Sequence, residues 1–301
     1  MPNLVLLIAC FALGVLMRRT GRLPEATPAV LNGFIINISL PALTLLYVHE
    51  LPIDGSLAYP TAMAWVLFGL GMVFFIALGR AAGWSRGTIG GLILVGGLAN
   101  TSFLGLPMIE TFYGEQYLGL GILIDQLGSY MVLSTLGIVI AVTYASGDAS
   151  PAAIVRKIVR FPPFLAVLLA LALKPLDYPD GLQEVLGKLG ATLAPLALVS
   201  VGYQLQLAEA RGRLTALSAG LAFKLVMGPA LIMGLFSGAL GAGGTMIQVT
   251  IFEAAMAPMI GGSIIAQEHK LDPPLVTLMV GLGIPLSFLT LPAWWYVLQG
   301  V

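Results

Sequence analysis

Charge is scarce in this chain. Of 301 residues, 14 are basic and 14 acidic, so 9% of the sequence is Asp, Glu, Lys or Arg, against about 25% in an ordinary soluble domain. A soluble globule of this size could not cover its surface with so few charges. A balance of zero also removes the basic excess that a nucleic-acid binder needs. The single cysteine, Cys10, lies in an apolar run and excludes both a disulfide framework and a cysteine-rich metal site. Only two histidines are present, His49 and His269, and both are expected in loops. His-Glu-x-x-His does not occur, and the single Gly-x-Ser-x-Gly match, Gly83-Trp-Ser-Arg-Gly87, falls in the short basic stretch between spans 3 and 4 rather than on a strand-to-helix elbow, so no intramembrane hydrolase and no enzymatic activity is expected.

What the chain has instead is oil. Apolar residues make up 58% of it and the mean hydropathy is +0.97. A membrane-spanning helix needs about 20 predominantly apolar residues. Apolar runs separated by charge or by Gly/Pro punctuation give ten candidates, at 4–17, 30–48, 57–79, 88–112, 117–144, 161–173, 185–207, 214–240, 245–267 and 274–298. The first and sixth are short.

The basic residues test that count. Arg18, Arg19 and Arg22 follow span 1, and Arg80 and Arg86 follow span 3. Arg156, Lys157 and Arg160 follow span 5, Arg211 and Arg213 follow span 7, and Lys270 follows span 9. The opposite side holds Lys174 and Lys188, with the acids Glu50, Asp54, Glu110, Glu115, Asp177, Asp180 and Glu184. Cations mark the cytoplasmic side, so ten passages place both termini outside a plasma or inner cell membrane. No cation precedes 4–17 and three arginines follow it, the reverse of a secretory signal, so that segment is expected to stay as a helix.

The prolines suggest two halves, 1–150 and 151–301. Span 2 holds Asn37-Ile-Ser-Leu-Pro41 and span 7 holds Ala191-Thr-Leu-Ala-Pro195. Span 4 holds Asn100-Thr-Ser-Phe-Leu-Gly-Leu-Pro107 and span 9 holds Glu253-Ala-Ala-Met-Ala-Pro258. Five spans per half is an odd number, so the second half must enter the membrane upside down. An inverted repeat of this kind is typical of secondary transporters. In spans 4 and 9, Pro107 and Pro258 remove a helical donor. Gly96, Gly97 and Gly105, and in span 9 Gly261 and Gly262, ease unwinding. Asn100, Thr101, Ser102 and Ser263 can take up freed backbone groups. Two broken helices would bring their ends to one point, N-termini for an anion and carbonyls for a cation. Glycine-packed kinks are the plainer alternative.

Three ionisable residues sit deep: Asp125, Lys224 and Glu253. Lys224 lies eleven residues beyond Arg213, about half-way through a core of ~30 Å. A charge there costs at least ~2.5–3.5 kcal/mol and normally has a partner or a task. Lys224 either pairs a carboxylate or meets an anionic substrate. Two acids against one base leave a remainder, a carboxyl that binds a proton or a cation. Glu253, just ahead of the Pro258 break, is the stronger candidate. Asp125 and Ser129 share a helix face and could add oxygen ligands suited to a hard cation. The candidate substrate residues are Asn37, Asn100, Thr101, Ser102, Pro107, Lys224, Pro258 and Gly261. The candidate cation residues are Asn100, Asp125, Ser129 and Glu253.

Ile38-Ser-Leu-Pro-Ala-Leu43, Leu98-Ala-Asn-Thr-Ser-Phe-Leu-Gly-Leu-Pro107, Leu193-Ala-Pro-Leu-Ala-Leu-Val-Ser-Val-Gly202 and the stretch 252–292, with Pro258, Asp272 and Leu289-Thr-Leu-Pro292, resemble the auxin efflux carrier family. The resemblance covers essentially the whole chain. It implies an all-α fold of ten transmembrane helices with an inverted five-helix repeat and two crossing broken helices, 4 and 9. It implies a scaffold of helices 1, 2, 6 and 7, a mobile transport domain of helices 3–5 and 8–10, elevator-like alternating access and a homodimer among membrane lipids. Its substrates are small organic anions, auxin in plants and dicarboxylates such as malonate or malate in bacteria. Two departures count against auxin here. The central loop is only about 145–160, and Pro258 is followed by Met259-Ile-Gly where plant members place an asparagine. Bile acid–sodium symporters are more distantly similar; their helix 9 glutamate and helix 4 asparagine correspond to Glu253 and Asn100, which implies Na+, or else H+, as coupling ion. No other cofactor is expected. An uncoupled facilitator, a channel or a membrane sensor of the same fold is the competing reading.

Overall fold

The computed structural model describes residues 2–50, 58–146, 156, 159–160, 162–205 and 212–301. Asp54, Lys157, Arg211 and most of the short central loop lie outside them. Among the described residues the fold is all helix, with no strand. Helix α1 is Pro2–Thr20. Helix α2 runs through Thr27–Phe34, a π-turn Ile35–Ser39 and Leu40–Glu50. Helix α3 is Ala58–Ala81, and α4 is Arg86–Gly96. After a π-turn at Thr101–Gly105, α5 covers Leu106–Phe112. Helix α6, Gly119–Ala145, contains π-turns at Ile124–Tyr130 and Leu133–Gly137. Helices α7, Pro162–Leu173, and α8, Asp180–Gln204, follow. Helix α9 is Leu214–Ala239, with π-turns at Phe223–Met227 and Gly234–Ala239. Helices α10, Thr245–Ala254, α11, Ile260–Glu268, and α12, Pro273–Leu298, complete the chain.

Among the described residues, six helical stretches are long and apolar enough to cross a membrane: Thr27–Leu46, Ala58–Ala81, Gly119–Ala145, Asp180–Gln204, Leu214–Ala239 and Pro273–Leu298. Arg86–Gly96 is a shorter apolar helix. The expected fourth and ninth spans are each divided, α4 from α5 and α10 from α11.

The chain divides into two compact units, Met1–Ile53 with Ser150–Leu205, and Asp54–Ala149 with Gln206–Val301. In the first unit α1 packs on the second half of α8 at very short range. A Cβ on Gly14 would collide with the carbonyl oxygen of Val199, and one on Gly202 would collide with that of Phe11. Small residues that let backbones touch are the usual glue between helices in lipid. Hydroxyl and amide pairs add to it: Ser39 with Thr192 at 2.7 Å, and Ser200 donating to Asn32 at 2.8 Å. At one end of this unit Ala42, Tyr178 and Leu186 form a small core. His49 sits there in the last turn of α2, not in a loop. Its ring stacks on Tyr178 with centroids 3.8 Å apart, and its Nε2 lies 2.7 Å from the Leu176 carbonyl oxygen. The helix outlasts the apolar run because this stack and hydrogen bond give a polar residue somewhere to go.

The second unit is built around α4, α10, α11 and α12, against which α3, α6 and α9 pack. Its interior carries the chemistry: Asn100, Thr101, Asp125, Ser129, Lys224 and Glu253 are all buried in it. Phe74, Phe75 and Phe223 form an aromatic knot where α3 meets α9. At one edge Asp272, in a left-handed conformation at the start of α12, accepts from Thr88 of α4 at 2.7 Å and from Arg213, ahead of α9, at 2.9 Å. One carboxylate thereby ties the starts of three helices.

Candidate functional site

Helices α4 and α10 stop inside the expected spans. Helical backbone resumes at Thr101 after α4 and at Ile260 after α10. The two breaks bind each other. The Asn100 N–H donates to the Ala257 carbonyl at 2.9 Å, and the Met259 N–H donates to the Val95 carbonyl at 3.1 Å. Ala99 and Pro258 form an antiparallel bridge between them. Main-chain groups set free by unwinding thus satisfy one another, which irregular backbone at membrane depth requires. Glycine permits the approach: a Cβ on Gly262 would collide with the Leu94 carbonyl oxygen, and one on Gly283 with the Pro258 ring.

The two prolines play unlike parts. Pro258 sits in its break. Pro107 lies beyond its own, in the first turn of α5, seven residues after Asn100. The π-turn Thr101–Gly105 has already widened the helix there, and a proline in a first turn gives up little. Asn100 makes the break, capping the π-turn by accepting from the Phe103 N–H at 3.2 Å. Its Nδ2, fully enclosed, has no hydrogen-bond partner among the described residues.

Asp125 is held by three donors. Thr101 and Ser102 donate to its Oδ1 at 2.5 and 2.6 Å, and Gln126 donates to its Oδ2 at 2.7 Å. The hydroxyls that follow the first break are therefore turned to an acid on α6. Such charge-assisted bonds are the strong kind and fix the break against its neighbour.

Glu253 is the opposite case. It is 0% exposed, and among the described residues neither carboxyl oxygen has a hydrogen-bond partner. The carboxyl is seated against glycine: a Cβ on Gly105 would lie 2.5 Å from Oε2, and one on Gly121 would lie 3.6 Å from Oε1. Gly105, expected to ease unwinding, instead lies in right-handed helical backbone and makes room for this side chain. Lys224, also 0% exposed, donates to the Ala254 carbonyl at 2.6 Å.

As a set of oxygen ligands the four candidate cation residues are divided. Glu253 and the Ser129 Oγ have oxygens without a hydrogen-bond partner among the described residues, whereas Asp125 and the Asn100 Oδ1 accept hydrogen bonds. Among the described residues no three His, Cys, Asp or Glu stand together. Gly261 is buried in the first turn of α11. Asn37 belongs to the first unit, where it is exposed and bonds Gly33 at 2.8 Å. Sequence reasoning passed over Gln126, which an amide beside a buried acid in an apolar run could have signalled. It also passed over the Ala254 carbonyl, which no side chain announces.

A family model for membrane transport proteins matches residues 1–295. The chain belongs to that family, the auxin efflux carriers and their relatives. Members of it that resemble this chain include an uncharacterized transporter of Methanothermobacter thermautotrophicus, 27% identical over 289 residues, covering 95% of this chain and 94% of the relative. Another uncharacterized transporter, from Methanocaldococcus jannaschii, is 24% identical over 308 residues and covers 98% of each. Membership in this transporter family, together with the long apolar helices, makes the protein a multi-pass membrane protein.

Proposed function

We propose that this protein is a secondary active transporter of a small organic anion of the carboxylate class. It works by elevator-like alternating access and is driven by a cation, Na+ or H+. The observation that carries the reading is the enclosed Asn100 Nδ2, a donor without a partner among the described residues, placed at the junction of two broken helices. A buried donor left unpaired costs about 1–3 kcal/mol, a cost that a carboxylate ligand removes. The first turns of the π-turn at Thr101 and of α11 add the positive ends of helix dipoles. Asn100, Pro107, Pro258 and Gly261 are the substrate residues of the transport unit, and Asn37 is the scaffold's candidate. Thr101 and Ser102 shape the break through Asp125. Lys224 donates to the Ala254 carbonyl and keeps further N–H groups, so it stays in the substrate set as the candidate counter-ion.

Glu253 carries the coupling ion. Its free oxygens, with the Ser129 Oγ, suit a sodium ion or a proton. The elevator reading is supported by the chain's division: each unit takes one stretch from each half of the sequence, and the unit Asp54–Ala149 with Gln206–Val301 holds every deep charge. That alternation suits ten passages in an inverted repeat, with both termini outside the cell membrane, a scaffold of helices 1, 2, 6 and 7, and a homodimer. Proteoliposomes with an imposed Na+ or pH gradient test the proposal. Saturable, gradient-driven uptake of a labelled dicarboxylate that is lost in Glu253→Gln is expected. Unsaturable flux would show a channel.

A further inference from the structure

Lys224 answers a specific defect. Pro258 has no N–H, so the carbonyl four residues earlier, that of Ala254, loses the donor a continuous helix would have supplied. That carbonyl ends α10, where unpaired oxygens gather the negative end of the helix dipole. The Lys224 Nζ donates to it at 2.6 Å from a π-turn of α9. The same repair occurs once more in this unit. Pro229 frees the Leu225 carbonyl, and the Trp294 indole N–H of α12 takes it at 2.8 Å. The two repairs differ in charge. A neutral indole suffices at Leu225, whereas the Ala254 oxygen receives an ammonium with no exposure to solvent.

We propose that the C-terminal end of α10 is a monovalent-cation site which the chain fills with its own Lys224 ammonium. The acceptor is the Ala254 carbonyl, which the Lys224 Nζ meets at 2.6 Å. A free ammonium ion takes the position when the side chain is cut back. Lys224 is thus a positioning residue: it holds the second break closed by charge. This inference goes beyond the transport reading and does not depend on it.

Thermal unfolding of the purified protein tests it, in choline, sodium and ammonium chloride at equal ionic strength. Wild type should unfold at the same temperature in choline and ammonium. Lys224→Ala should lose about 5 °C in choline and regain most of it, saturably, with ammonium. Lys224→Met fills the channel of the side chain without a charge, so it should stay low in every salt. A Lys224→Ala variant indifferent to the choice of ammonium or choline would overturn the inference, as would a Lys224→Met variant as stable as wild type. If Lys224→Ala does not survive purification in choline, recovery in ammonium chloride is the expected result, and loss in both salts contradicts it.

Discussion

Gly105 and Glu253 face each other with no room for a methyl group between them: a Cβ on the glycine would stand 2.5 Å from one carboxyl oxygen and 2.6 Å from the other. The atom that must give way is the far end of a flexible side chain, so Gly105→Ala should fold. Its effect should fall on the carboxyl, which no hydrogen bond from the described residues holds in place. A fall in gradient-driven uptake of about tenfold, roughly 1.4 kcal/mol, with thermal stability nearly unchanged, is the expected pair of results. Undiminished coupling would separate Glu253 from the task assigned to it.

Asp125 offers a second test. Its three donors make it the anchor of the first break. Asp125→Ala strands Thr101 and Gln126 in the interior and should destabilise by about 3 kcal/mol, whereas Thr101→Val removes one donor and should cost about 1.5 kcal/mol. Chemical or thermal unfolding measures both. Equal losses would mean that the three bonds do not act on one carboxylate.

The close approach of α11 to α4 is set by backbone. At Gly262 the obstacle to a methyl group is the Leu94 carbonyl, and a main chain held by the crossing cannot retreat cheaply. Gly262→Ala should therefore cost more than about 3 kcal/mol. Gly234, a helical glycine with nothing within 4 Å of the place a Cβ would take, is the control, and alanine there should be neutral or mildly stabilising. Similar losses at the two positions would argue against a crossing this tight.

Asp272 combines a left-handed conformation, φ 44°, with bonds to Thr88 and Arg213. Asparagine tolerates that backbone and keeps a hydrogen-bonding oxygen; alanine does neither. Thermal stability should fall in the order wild type, Asp272→Asn, Asp272→Ala. If alanine equals asparagine, the network and the strained turn contribute nothing separable.

The sequence exposed the expensive features and hid the cheap ones. Asp125, Lys224 and Glu253 stood out because a charge in an apolar run has to be explained. The breaks were legible because prolines and glycines cluster in two corresponding places. Their positions were less so. The first break lies upstream of Pro107, since a π-turn absorbs the proline, and one i to i+5 turn leaves no mark on a 3.6-residue pattern. For the same reason nothing in the sequence showed that Asn37, Asp125 and Lys224 all sit in π-turns. Partners were hidden by distance along the chain. Asp125 meets Thr101 across 24 residues and Lys224 meets Ala254 across 30. Main-chain acceptors have no residue type to read, so the ammonium's partner could only be guessed as a carboxylate or a substrate.

The central claim is that the paired breaks bind the transported anion through Asn100. Counterflow in proteoliposomes measures it most directly, with unlabelled malonate inside and labelled malonate outside, for wild type and Asn100→Ala side by side. Wild type should show saturable uptake accelerated by the internal anion, and Asn100→Ala should raise the half-saturating concentration about tenfold or more, the equivalent of one lost hydrogen bond to a charged group. Flux that rises linearly with concentration, or an unchanged half-saturation in Asn100→Ala, would contradict it.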